Sequence, residues 1–172
     1  MSNDSTATST VMNSQECNVS VNDVVLSIAT ANGTGSQSAN LILTRSIFQM
    51  GVPVSAKNLF PSNIQGLPTW FSIRANRNGY TARRPDVDIM VCMNSRSVEE
   101  DLTGLNPGTV VLIRDDLMGH VTRDDLKIVP TPFSSMVKEV CPLAKIRKLV
   151  MNMLYVGVLA YLLKLDLDEV NR

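Results

Sequence analysis

The 172-residue chain is poor in several things, and each shortage removes a class of function. Aromatic residues are 5% of the sequence. That is too few for the stacking platforms of single-stranded nucleic-acid binders. Net charge is zero, with 16 Lys+Arg against 16 Asp+Glu, which excludes a uniformly basic nucleic-acid binder and an acidic tail protein. There is one histidine, His120. A single imidazole cannot build a metal site, and Ser/His/Asp catalysis would rest on it alone. The three cysteines, Cys17, Cys92 and Cys141, form no CxxC pair. Structural zinc and Fe–S ligation within the chain are therefore not expected. Scattered thiols suit a reducing compartment, so the expected location is cytoplasmic. No hydrophobic run is long. The most apolar segment, Leu149–Leu163, has 15 residues and contains Asn152, which is short for a bilayer and suits a buried or interface helix.

The N-terminus lacks the basic start and apolar core of a signal peptide. Eleven of the first 20 residues are Ser, Thr or Asn. Such a composition cannot bury a core, so residues 1–20 are expected to be a disordered leader to a domain over residues 21–172. That length suits a single α/β domain with a core of its own.

The most informative absence lies inside the chain. Residues 24–85 hold no Asp or Glu, yet carry Arg45, Lys57, Arg74, Arg77, Arg83 and Arg84. This third of the fold is expected either to face something anionic, such as an acidic partner chain, or to pair with acids from the C-terminal half.

What is present reads as alternating strands and helices. Val24–Ile28 is a short apolar run suited to a strand covered on both faces. It leads into Thr30-Ala31-Asn32-Gly33-Thr34-Gly35-Ser36-Gln37-Ser38. A helical pattern follows, with Ala39, Ile42, Leu43, Ile47 and Met50 on one face. Ser36 or Ser38 is its expected cap, and Gly51 its end. Val52–Ala56 reads as a second strand, so the opening predicts a βαβ unit. Lys57–Pro68 is an irregular loop with two prolines. Trp70–Ala75 alternates like a half-buried antiparallel strand. Val87–Met93, Val110–Ile113 and Lys127–Val129 read as further strands, with a short acidic helix near Ser97–Leu102 and a turn at Asn106-Pro107-Gly108. Pro142 is expected in the first turn of a last helix over Leu143–Lys164. The fold class is α/β: a three-layer sandwich with a mostly parallel, Rossmann-like sheet and helices on both faces.

A Gly-rich turn between a strand and a helix is a ready anion site, because free backbone N–H groups and the helix dipole point at the ligand. Dinucleotide-binding units place an acid after the second strand to hold the ribose diol. Here Ala56 is followed by Lys57, and the next carboxylate is Asp86. That disfavours NAD and favours a ligand richer in phosphate. Lys57 and Arg45 are candidate charge partners.

The strings Asn32-Gly33-Thr34-Gly35-Ser36-Gln37-Ser38-Ala39-Asn40 and Lys57-Asn58-Leu59-Phe60-Pro61-Ser62-Asn63-Ile64-Gln65-Gly66-Leu67-Pro68-Thr69-Trp70 resemble the gamma domain of 2-oxoacid:ferredoxin oxidoreductases. The likeness is nearest to the N-terminal part of the fused alpha subunit, of the 2-oxoglutarate:ferredoxin oxidoreductase type. It extends through Arg84-Pro85-Asp86-Val87-Asp88, the Asn106-Pro107-Gly108 turn and Asn152–Gly157, and so from about Val21 to the end. One departure is Thr30-Ala31-Asn32, where other gamma subunits are richer in glycine.

The resemblance implies one part of an enzyme that decarboxylates a 2-oxoacid, passes electrons to ferredoxin and releases an acyl-CoA. The gamma domain is the part associated with coenzyme A. Thiamine diphosphate, Mg and the Fe–S clusters are implied only in partner domains or subunits, which agrees with the missing cluster cysteines. Carried onto this sequence, the CoA-binding residues are Asn32, Gly33, Thr34, Gly35, Ser36, Gln37 and Ser38 of the turn, with Lys57, Asn63 and Gln65 of the following loop. No catalytic residue and no metal ligand is expected here, nor a nucleic-acid or membrane partner. The chain is expected to be inactive alone, and to be either a piece of a longer subunit or a free-standing gamma subunit. Two alternatives stand beside this reading: a non-catalytic module bracing the same complex, and an autonomous nucleotide-binding domain.

Overall fold

A computed structural model of the protein describes residues 22–61 and 64–171. The expected leader and Cys17 lie outside the described residues, as does Asn63. One mixed sheet organises the fold. Its strands are β1 (Asp23–Ala31), β2 (Val54–Leu59), β3 (Pro68–Asn76), β4 (Ile89–Cys92), β5 (Val110–Arg114) and β6 (Lys127–Thr131). They lie in the order β2-β3-β1-β4-β5-β6. β1, β4, β5 and β6 pair in parallel, whereas β3 runs antiparallel to both β1 and β2.

This order corrects the expected βαβ unit. The helix α1 (Ser36–Gln49) does connect β1 to β2. β3, however, lies between those strands, pairing with β1 over nine residues from Asp23↔Asn76 to Ala31↔Pro68. The alternation seen in the sequence explains why β3 fits there. Phe71, Ile73 and Ala75 enter the core on one face, while Trp70, Ser72 and Arg74 stand on the other.

On the first face lie α1, α3 (Phe133–Val140), α4 (Arg147–Leu162) and α5 (Leu167–Asn171). Ala39, Leu43 and Ile47 recur every four residues along α1 and are buried against Leu26, Ile28, Phe71 and Ile73. Each such aliphatic side chain contributes about 1.5–3 kcal/mol of burial. α4 lies beside α1, where Tyr155, Val156 and Leu159 join the same core. The second face is covered by the six-residue α2 (Val98–Thr103) and a 3-10 turn over Asp115–His120. Their Val98, Leu102 and Leu117 meet Ala29, Met90, Cys92, Val111 and Ile113. Helices therefore stand on both sides of the sheet, as the three-layer reading requires.

The C-terminal third departs from its expected helix boundaries. α3 was hidden between Pro132 and Pro142, and Pro142 precedes rather than opens the last helix, which begins at Arg147. Lys164 lies beyond its end with φ 54. Among the described residues, no helix is long and apolar enough to cross a membrane.

Candidate functional site

The Gly-rich turn leaves β1 at its C-terminal end and opens α1. The expected serine cap is not used. Gly35 is the N-cap, in the left-handed region at φ 81, and no side chain caps the helix. Gly33 has φ 80 as well. Both conformations favour glycine, because a Cβ there costs about 1–2 kcal/mol. Both sites are also crowded. A Cβ on Gly33 would lie 2.8 Å from Cγ of Gln65, and one on Gly35 would lie 2.7 Å from Cδ1 of Leu149. The first turn of α1 contains no acidic residue. Its N–H groups and the positive end of the dipole thus face outward without a side-chain acceptor.

Hydrogen bonds fix the turn from several sides. Asn94 donates Nδ2–H to the Thr30 carbonyl at 3.1 Å, and Asn152 of α4 donates to the Thr34 carbonyl at 2.9 Å. Thr34 Oγ1 donates back to the Ala31 carbonyl at 2.8 Å, and Thr30 Oγ1 donates to Ser36 Oγ at 2.8 Å. The loop after β2 folds onto the turn, with Asn32 N–H to the Leu67 carbonyl and Gly66 N–H to the Asn32 carbonyl, both 2.9 Å.

Two cavities flank this turn. The first, of about 270 Å³, is walled by the turn, the start of α1 and the facing ends of β2 and β3. Asn32, Gly33, Gly35, Ser36, Gln37 and Ser38 all line it, so six residues singled out in the sequence meet here. Thr30, Asn40, Asn58 and Thr69 line it too and were missed: Thr30 and Asn40 flank the turn on β1 and α1, whereas strand pairing brings in Asn58 of β2 and Thr69 of β3. Among the described residues, no charged side chain lines this cavity. Behind it the Tyr155 hydroxyl donates to Asn40 Oδ1 at 2.8 Å, and burial pushes its phenol pKa up. The second cavity, of about 410 Å³, opens on the other side of the turn, and Thr34 lies there together with Arg96, Arg114 and Lys148.

The remaining expected residues are placed differently. Gln65 lies against Gly33 without lining either cavity. Lys57 lines a groove of about 300 Å³ with Arg74, Arg83 and Arg84, apart from both cavities. Arg45 stands ten residues beyond the N-cap of α1. The carboxylate-free stretch is partly neutralised by one long-range and one local ion pair. Buried Arg74 pairs with Asp23, and Arg84 with Asp88 at 2.7 Å. Arg45, Lys57, Arg77 and Arg83 have no carboxylate partner among the described residues.

Burial pushes the Cys92 thiol pKa up. His120 Nδ1 lies 2.9 Å from Glu99 Oε1 in an exposed pair. Among the described residues no cluster of His, Cys, Asp or Glu could hold a metal ion.

The model of the pyruvate ferredoxin/flavodoxin oxidoreductase family matches residues 25–172. The chain belongs to this family. No curated protein matches it significantly. Solved structures reproduce the family's fold. A 2-oxoglutarate:ferredoxin oxidoreductase from Magnetococcus marinus, with 2-oxoglutarate, coenzyme A and succinyl-CoA bound, superposes with a TM-score of 0.75 at 21% identity over 88% of this chain. The chain spans 26% of that protein's length. The gamma subunit of a keto/oxoacid ferredoxin oxidoreductase from Geobacter sulfurreducens gives 0.68 at 13% identity, over 86% of this chain and 82% of its own. A pyruvate oxidoreductase subunit from Thermotoga maritima gives 0.67 at 15% identity, over 87% of this chain and 82% of its own. The fold is thus that of family gamma subunits, as the resemblance implied.

Proposed function

We propose that the chain is the coenzyme A-binding gamma domain, over residues 21–172, of a 2-oxoacid:ferredoxin oxidoreductase with 2-oxoglutarate as the substrate. The observation that carries the reading is the uncapped N-terminus of α1, reached through Gly33 and Gly35 in left-handed conformation. Backbone donors converge there on a cavity walled by amides and hydroxyls. Such a surface suits a phosphate and the amide-bearing pantetheine arm. The wedge of β3 between β1 and β2 also disfavours a dinucleotide, since no acid at the end of β2 can reach a ribose.

The chain's own contribution is positional. It would hold the thiol of CoA near an acyl group generated in a partner domain, raising effective concentration without acid/base chemistry. Thiamine diphosphate, Mg, the Fe–S clusters and transfer of electrons to ferredoxin are assigned to partner domains or subunits, and the complex to the cytoplasm. Calorimetric titration of the full chain with CoA tests the reading. Binding is expected in the wild type and not in Gly35→Asp, where a carboxylate enters the turn. Absence of wild-type binding, alone and in the assembled complex, or an unchanged affinity in the variant, would overturn it.

A bracing role is a second reading, favoured by exposed Phe60, Ile64, Leu143 and Leu149. Ile64 and Leu149 touch the turn region directly. Under that reading alone, replacing Ile64 and Leu149 by Ser disrupts assembly while CoA affinity is absent throughout.

A further inference from the structure

The chain leaves β1 toward α1 on one face of the sheet and leaves β4 toward α2 on the other. β1 and β4 are parallel neighbours. Their C-terminal ends therefore form a topological switch point, the crevice where open α/β sheets take ligands. The 410 Å³ cavity occupies this crevice. We propose that it binds the phosphate groups of a nucleotide-type ligand through Arg96 and Lys148, both of which line it.

Arg96 belongs to the segment after β4, and Lys148 to the first turn of α4. Neither has a carboxylate partner among the described residues. Arg114, at the end of β5, is committed elsewhere: it holds Asp116 through two nitrogens and donates to the Met93 carbonyl at 3.1 Å. It forms a fixed cationic wall. Among the described residues, no Asp or Glu lines the cavity. Both segments are held in place by the turn itself. Asn94 is bonded to the Thr30 carbonyl and Asn152 to the Thr34 carbonyl, so the segments carrying Arg96 and Lys148 are both anchored to it. Two cations brought to one cleft from different elements suit a group with charge spread over several oxygens, as in a pyrophosphate. The uncharged cavity on the far side of the turn, at the N-terminus of α1, is then left for an amide-bearing arm and a separate phosphate. The identity of the ligand as coenzyme A rests on the reading above; the anion site does not.

The test titrates the full chain with inorganic pyrophosphate, ADP and CoA, with amide NMR shifts as a second readout. Wild-type protein should bind pyrophosphate and ADP, with shifts at Thr30–Thr34 and Lys148–Asn152, and affinity should fall as salt rises. Arg96→Ala/Lys148→Ala should weaken binding about tenfold or more. Arg96→Lys/Lys148→Arg should retain most of it, and Lys138→Ala on α3 should change nothing. Loss of pyrophosphate binding in the double variant with an unchanged circular dichroism spectrum supports the site. No pyrophosphate or ADP binding by wild type, or equal binding by the double variant, overturns it. If pyrophosphate binds at these residues and CoA does not, the anion site stands and the coenzyme A reading falls. If CoA binds equally to wild type and double variant, the reverse holds.

Discussion

The indole Nε1–H of Trp70 donates to Oδ1 of Asp101 at 2.6 Å, joining β3 to α2 across the second face of the sheet. Ser97 Oγ donates to the other carboxylate oxygen at 2.8 Å. Both bonds favour the charged carboxylate, yet burial outweighs them and pushes the Asp101 pKa up from 3.8 to about 6. The folded state then binds more protons than the unfolded chain between those values. This group's contribution to stability is full below pH 3.8 and is lost as pH rises to about 6. The whole swing is about 3 kcal/mol. Asp101→Asn keeps Oδ1 for Trp70 and offers Nδ2–H to Ser97. Urea unfolding should show the variant gaining on wild type as pH is raised from 4 to 7. A constant difference across that range would refute the assignment.

The ion pair of Arg74 and Asp23 predicts the opposite slope. The Arg74 guanidinium holds the Asp23 carboxyl below its ordinary range, chiefly through their hydrogen bond. Its contribution is present above the unfolded value of 3.8 and is lost as pH falls below it. Asp23→Asn should lower Tm at pH 7 and bring it closer to wild type near pH 3. Thermal scans at the two pH values check this, and an equal drop at both would point to packing instead.

Gly35 separates backbone strain from crowding. Gly35→Ala should cost about 1–2 kcal/mol for its left-handed backbone, plus the displacement of Leu149. Adding Leu149→Ala to Gly35→Ala should relieve only the second part. Gly51→Ala has φ 80 and open space around its Cβ, so it reports the backbone cost alone. Chemical unfolding of the set measures both. If Gly35→Ala costs no more than Gly51→Ala, the contact with Leu149 is immaterial.

Tyr155→Phe tests the bond beneath the first cavity. It leaves buried Asn40 Oδ1 without its partner. The expected loss is about 1–3 kcal/mol. A double-mutant cycle with Asn40→Ala should show coupling of about 0.5 kcal/mol or more, and strict additivity would argue against the bond.

The legible parts of this fold are those whose signal is local. β1 announces itself by its apolar run, α1 by its four-residue spacing, and β3 by strict alternation. The Gly-rich turn is contiguous, so six of its seven expected residues meet in one cavity. Strand order is not local, and nothing between Val52 and Asn76 states that β3 will take the edge of β1. α3 is obscured because Pro142 suits the first turn of a last helix, which draws the helical reading past Phe133–Val140, and because Pro132, although compatible with a helix start, gives no apolar-periodic signal of its own. Arg74 is 51 residues from the carboxylate that holds it. Arg96 and Lys148 are as far apart in sequence, with no motif joining them.

Thr30 and Thr34 give their carbonyls to opposite layers of the sandwich, one to the segment leading into α2 and the other to α4. The Gly-rich turn is therefore a post shared by two floors. Sliding either helical layer over the sheet would strain a bond to this post, and through it the other layer. A ligand seated on the turn stiffens both floors at once. Hydrogen exchange should slow together in α4 and the α2 segment on binding, although no ligand atom need touch α2.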